Sequence, residues 1–245
     1  MVEHTLHHAL ATAQANNSHL QAQADLCNIA FYFLLRVGEY THPRTTGTRN
    51  TKPFAVKNVT FWNGSRIVPN TASLDQLLQA TSATIVIPRQ TNGVKGQSIH
   101  QQCTGTRLSP IKSLARRVHH IMHNFRSQQR PIYWVKNPLF LQPRFVTPDN
   151  INHTIRLAAH ATGLFNRGYE PSDVSSHSLR AGGAMALHLA GADTKTIMKM
   201  GRWKSDTFRM YIHEQISAFS AGLSTKMSQN IPFVHIAGPR TSTAT

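Results

Sequence analysis

An α+β fold, mainly helical with one small antiparallel sheet, follows from three features of the sequence. Apolar residues recur at helical spacing from Leu20 to Val37, and again through much of the second half. Between them lie short β-branched and aromatic runs, with Asn-Gly dipeptides at Asn63-Gly64 and Asn92-Gly93. The order is therefore helix, small sheet, then helices, which is the pattern of an α+β domain. With 245 residues the chain is long enough for one large domain or two small ones.

Residues 1–17 are polar and rich in His, Ala and Asn, a segment expected to fray or to be a cut end. Ser18 is placed to cap a helix whose apolar positions are Leu26, Ile29, Ala30, Phe33, Leu34 and Val37, with Gly38 as its stop. The helix is apolar on nearly every side over Ile29–Leu35, as expected of one that crosses the core. Arg36 is then a charge at the exit of an apolar helix, with Glu39 three positions on as an ion-pair partner. Strands are expected at Phe54–Val56, Val59–Trp62, Arg66–Val68, Thr84–Pro88 and Val94–His100. Arg89 and Lys95 are among the basic side chains offered at the turns of this sheet. Lys95 reads equally as a phosphate contact or as an exposed strand lysine.

Ser109-Pro110 opens a helix to about Arg126, with Pro110 in the first helical position. Leu114, Val118, Ile121, Met122 and Phe125 form its apolar stripe, and Arg116 and Arg117 are expected off it. The proline-rich stretch 130–144 reads as a loop with extended pieces at Ile132–Val135 and Leu139–Leu141. Thr147-Pro148-Asp149 starts a helix that stops near Gly163. Ser175 or Ser176 caps the next one, which carries His177 and Arg180 three apart on one face. Its following run, Ala181–Leu187, is small and apolar and suits close packing. A short helix from Asp193 to Met200 and a third helix carrying Tyr211 complete the order. The expected division is an N-terminal segment 1–17, a main domain 18–230 and a tail 231–245 whose end is small and polar.

Lys and Arg number 26 against 10 Asp and Glu, a formal charge of +16. Such an excess predicts a polyanionic partner, nucleic acid first. The basic residues are spread along the chain and not gathered on one amphipathic helix, which argues against an anionic membrane. No apolar run approaches the ~18 residues of a transmembrane helix, and the N-terminus has no basic segment leading an apolar core. Cys27 and Cys103 form no disulfide framework and fit a reducing compartment. The histidine pairs His7-His8 and His119-His120 lack zinc-ligand spacing, so no metal is expected. Arg89, Arg107, Lys112, Arg116, Arg117 and Lys204 are candidate contacts to a nucleic-acid backbone, or solvated charges.

The residues that carry chemistry come in a fixed order. Leu35-Arg36-Val37-Gly38-Glu39 is followed by the second hairpin, then by His177-Ser178-Leu179-Arg180, then by Met200-Gly201-Arg202-Trp203 and Tyr211. In that order and context they resemble the catalytic domain of the tyrosine recombinases (phage-type integrases), over about residues 20–215. The wording Gly-Arg-Trp-Lys-Ser-Asp looks most like the recombinases of eukaryotic mobile elements. The resemblance implies cofactor-free cutting and rejoining of double-stranded DNA through a 3′-phosphotyrosyl link to Tyr211. Arg36 and Arg180 would clamp the non-bridging oxygens, His177 would relay the tyrosine proton, and Lys95 would protonate the leaving 5′-oxygen. A homo-multimer on DNA and an intracellular, DNA-associated location, nuclear in a eukaryotic host, are also implied.

Two departures from the family pattern stand out. Nine positions before Tyr211 is Arg202, not Trp203. Either Arg202 donates to the phosphate with Trp203 beside it, or a one-residue shift lets Trp203 serve. The hairpin reads Gln90-Thr91-Asn92-Gly93 where the related pattern often reads Gln-Lys-Asn-Gly, so Thr91 stands in the lysine's place. The family's helical core-binding domain, which normally comes before this region, is expected to be missing, as in a fragment or a relic. Three readings follow: a recombinase, a catalytically impaired DNA-binding remnant, or a type IB topoisomerase-like enzyme.

Overall fold

The computed structural model describes residues 18–43, 51–90, 93–106, 108–137 and 141–203. The expectations for residues 1–17, Thr91, Asn92, Arg107, Lys204, Tyr211, the third helix and the tail lie outside those residues.

Helix α1 (Ser18–Tyr32) is the central element, and it is buried along almost its whole length, from Ala22 to Phe31. Helices α4 (Pro110–Phe125), α5 (Pro148–Ala161) and α6 (Ser176–Leu189) pack against it on several sides, and α4 and α5 meet its buried Gln23, Asp25 and Asn28 with polar partners. It stops at Tyr32, earlier than the spacing predicts. Leu34 takes a left-handed backbone at φ 48°, Phe33 N–H donates to Ile29 O at 2.9 Å, and Leu35 N–H donates to Ala30 O at 3.0 Å. This is a Schellman-type close made without glycine. A left-handed non-glycine residue costs roughly 1–2 kcal/mol. Burial of Phe33, Leu34 and Leu35, each at most 1% exposed, outweighs it at about 1.5–3 kcal/mol per side chain. Helix α2 (Val37–Tyr40) follows at once.

The sheet contains β1 (Val59–Asn63), β2 (Arg66–Val68), β3 (Ser82–Ile87) and β4 (Gln97–Gln102), all antiparallel in the order β2-β1-β3-β4. Asn63 pairs with Arg66, so Gly64 and Ser65 make the first turn, and Gly64 supplies the φ of 61° that the reversal needs. Val59, Ile85 and Ile99 stand in one row across β1, β3 and β4 and are buried, which puts one sheet face on the core. Phe54–Val56 is not a strand. Ala55 makes only an isolated bridge to Pro131, and Val56–Asn58 is a 3-10 turn held by Asn58 Oδ1, which accepts from Ala55 N–H at 2.9 Å.

Helix α3 (Leu74–Leu78) was not foreseen; Ser73 and Gln76 cap each other at its start. Beyond α4, β5 (Trp134–Val135) pairs with β6 (Arg144–Phe145), and Leu141 is exposed; the rest of the expected extended piece at Leu139–Leu141 lies outside the described residues. Thr147, Ser175 and Asp193 cap α5, α6 and α7 (Thr194–Gly201) as their positions imply. Among the described residues no helix is long and apolar enough to cross a membrane.

The stripe assigned to α4 needs one correction. Arg117 is on its buried face, 2% exposed, with its guanidinium donating to the carbonyls of Ile132 and Trp134. It ties α4 to the start of β5 by donating to buried carbonyls there. Next to it, His120 Nε2 accepts from Lys136 N–H at 3.0 Å, and burial first, then Arg117, pushes its pKa down to about 3.

The folded imidazole of His120 therefore refuses a proton that the unfolded one takes up near 6.5. Its contribution to stability is complete above that pH and declines as pH falls from 6.5 toward 3. His19, also lowered by burial, acts in the same direction, while Asp25, raised by burial, opposes it. Urea unfolding between pH 7.5 and 4 is expected to show a shallower decline for His120→Gln than for the wild type. A second expectation concerns the contact of α1 with α6. A Cβ on Gly183 would lie 2.4 Å from Phe31 O. Gly183→Ala should thus destabilise by about 1–3 kcal/mol in denaturant titration, against the usual gain for alanine in a helix.

Candidate active site

The early close of α1 does more than end a helix. It turns out the Leu34 carbonyl, which accepts from Arg180 Nη1 and, at 3.3 Å, from Arg202 Nη2. Arg180 comes from the first turns of α6, which Ser175 caps and whose Ala-Gly-Gly-Ala run lets it close on α1. Arg202 closes α7 in a left-handed conformation at φ 56°. Arg36 is the N-cap of α2, and Glu39 at the third helical position returns its Oε2 to Arg36 N–H at 2.9 Å.

Glu39 is fully buried and serves two guanidinium groups. Oε2 accepts from Arg202 Nη2 at 2.7 Å, and Oε1 stands 3.5 Å from Arg36 Nη1. Arg36 Nη1 also donates to Gln90 Oε1 at 2.9 Å. Arg36, Arg180 and Arg202 are thus gathered around one carbonyl and one carboxylate. Burial lowers the pKa of Arg202, and Glu39 beside it works against that shift while Arg36 adds to it. Three guanidinium groups around one carboxylate leave an excess of positive charge among these residues.

The three arginines are not equivalent. Arg180 is 3% exposed, with Nη1 on Leu34 O, Nη2 on Gly201 O, and the Trp203 ring 4.2 Å from its Cζ. Arg202 is 5% exposed and faces inward, to Glu39 and the carbonyls of Phe33 and Leu34. Arg36 is different: 28% of its side chain is exposed and, among the described residues, its guanidinium is engaged through Nη1. Its Nε–Nη2 edge, the pair of parallel donors that suits a phosphate, donates to no described residue.

Of the other expected site residues, His177 is exposed on the first turn of α6, three positions before Arg180. Lys95 is exposed on the loop joining β3 to β4, next to Val94, whose carbonyl accepts from Gln90 N–H at 2.8 Å. Trp203 lies against Gly201, where a Cβ would come within 1.6 Å of its ring, and covers Arg180. Among the candidate backbone contacts, Lys112 and Arg89 are half-buried, and Arg89 Nε is buried with no hydrogen-bond partner among the described residues. Arg116 is engaged by Asp25 through Nε at 3.0 and 3.2 Å and by Ser113 at 3.0 Å, and Arg117 is inside the fold. Arg116 pairs α4 with α1, and Arg117, 2% exposed and occupied by carbonyls, is not placed to meet a phosphate.

Three features were missed in the sequence. Glu39 was visible only as a neighbour of Arg36, although an acid among so few in a basic chain could have marked a hub. Gln90 was part of a turn motif, and its side chain reaches back 54 positions to Arg36. The Leu34 carbonyl left no signal at all. Among the described residues no group of three or more His, Cys, Asp or Glu is arranged to hold a metal ion.

No protein-family model matches this chain, and no curated protein matches it. Among solved structures, the Tn1549 transposon integrase in complex with circular intermediate DNA is similar at a TM-score of 0.41 and 15% identity. The match covers 85% of this chain, which spans 57% of that one.

Glu39→Gln would leave Arg202 buried without its counter-charge. A loss of about 3–5 kcal/mol in denaturant unfolding is expected. Arg36→Ala, which removes a partly exposed partner, should cost clearly less in the same titration.

Proposed function

We propose that this chain is a DNA strand transferase of the tyrosine-recombinase kind, with Tyr211 as nucleophile and Arg36 as the leading phosphate contact. The observation that carries the reading is the gathering of Arg36, Arg180 and Arg202 around Leu34 O and Glu39, from three sequence segments that match the family's order. A charge of +16 supports double-stranded DNA as the partner.

In this reading the Tyr211 oxygen attacks phosphorus as its proton passes to a base, with His177 as relay. The bond to the 5′-oxygen breaks, and that oxygen takes a proton from Lys95 or from water. The product is a 3′-phosphotyrosyl ester and a free 5′-hydroxyl. Attack by a 5′-hydroxyl from another strand reverses the step, so bond energy is conserved without metal or cofactor. The open edge of Arg36 is suited to two oxygens of the phosphate, whose charge grows in the pentacoordinate transition state. Exchange between two duplexes calls for more than one copy of the chain on DNA.

A second reading is a DNA-binding remnant with impaired turnover. It is favoured by the inward set of Arg180 and Arg202, whose terminal nitrogens are occupied by carbonyls and Glu39. Thr91 in the place of the hairpin lysine points the same way.

A suicide substrate, nicked beside the scissile phosphate, separates the two. The expected outcome is a covalent protein–DNA adduct that is absent in Tyr211→Phe and forms ~10²–10³-fold more slowly in Arg36→Ala, the scale of losing one transition-state donor. DNA binding with no adduct from the wild type would establish the remnant. Exchange between two labelled duplexes, as opposed to relaxation of supercoils alone, would separate a recombinase from a topoisomerase.

A further inference from the structure

We infer that Gln90 is a positioning residue that sets the guanidinium of Arg36 and couples it to the β3–β4 hairpin. The inference rests on the reading of Arg36 as a phosphate contact. Gln90, three residues past the end of β3, is fully buried although it carries a polar amide. Burial of an amide is costly unless each of its groups is paired, and here they are. Its Oε1 accepts from Arg36 Nη1 at 2.9 Å, and its Nε2 donates to Gln97 Oε1 in the facing strand. Its backbone N–H donates to Val94 O at 2.8 Å and its carbonyl accepts from Gly93 N–H at 2.9 Å, which closes the loop that carries Lys95.

The chemistry of the amide explains why a glutamine suits this position. Glu39 already supplies one carboxylate to Arg36 and Arg202. A second carboxylate would hold Arg36 equally well, but would cancel charge needed for a polyanion. A neutral oxygen fixes Nη1 and turns the Nε–Nη2 edge outward with no loss of charge. Gln97 fixes the amide in turn, since its oxygen is the acceptor that decides which end of Gln90 faces Arg36. Position and charge are thus supplied separately, by Gln90 and by Arg36.

The test is a double-mutant cycle on the full chain with a nicked duplex oligonucleotide. It reads both the dissociation constant and the single-turnover rate of adduct formation at saturating DNA. Gln90→Leu is expected to weaken binding or slow the adduct roughly tenfold, the scale of one hydrogen bond to a charged group. In an Arg36→Ala background the same change should matter less than about twofold. Gln90→Glu, which keeps the acceptor and adds a charge, should weaken binding and lower the salt slope by about one. At saturating DNA its adduct rate should exceed that of Gln90→Leu, a split that a packing role alone would not produce. Should Gln90→Leu fail to fold, Gln97→Leu, at an exposed strand residue, is expected to show the same dependence on Arg36. Equal losses with and without Arg36, or no loss in either variant, would overturn the inference. A wild type without adduct removes the enzyme reading alone, because the binding arm of the cycle still measures the coupling.

Discussion

Glu39 is the constraint on which this arrangement depends. It is a carboxylate with no exposed surface, and taking such a charge out of water is tolerable only with close, well-directed partners. Arg202 at 2.7 Å and the Arg36 backbone N–H at 2.9 Å supply them. The same requirement binds the cations, since Arg202 is nearly as deep. The segments 33–39, 176–180 and 201–203 therefore meet because each buries polar groups that the others satisfy. The apolar core brings α1, α6 and α7 near one another, and this polar junction decides their mutual setting.

The excess of guanidinium over carboxylate at that junction is a property of the fold before it is a property of any reaction. Arg180 donates to the carbonyls of Leu34 and Gly201, and Arg202 to those of Phe33 and Leu34 and to Glu39, which anchors the ends of α1 and α7. Arg36, its side chain 28% exposed, keeps an Nε–Nη2 edge that no described residue engages. One wall of the junction is thus structural and the other ends in a guanidinium held at one nitrogen. By residue type these arginines are alike, whereas their surroundings divide them.

Elements with local signals were legible. Pro110, Thr147, Ser175 and Asp193 start helices because a cap or a fixed φ acts within one turn, and Asn63-Gly64 makes its hairpin for the same reason. What was not legible depends on distant partners. Leu34 adopts a left-handed backbone that leucine does not favour, because its burial and the carbonyl it turns outward are both used by the rest of the fold. Arg117 reads as a surface charge until carbonyls 15 and 17 positions away are placed over it. The Phe54–Val56 run has strand composition, yet its neighbour in space is the 130–132 turn, which offers a single bridge. In the site, the candidate arginines were found by type and order. Their division into inward and outward groups came from Glu39 and Gln90, whose side chains carry no mark of the distance they span.

Gly183 gives the fold a fixed gauge. With one hydrogen where other residues carry a carbon, it lets α6 ride directly on the Phe31 carbonyl, and that clearance sets how far the Arg180 side chain must extend to meet Leu34. A lever of constant length works only at one separation. The smallest residue in the chain thereby calibrates the reach of one of its longest, and any drift in that spacing would be felt first at the arginine's tip.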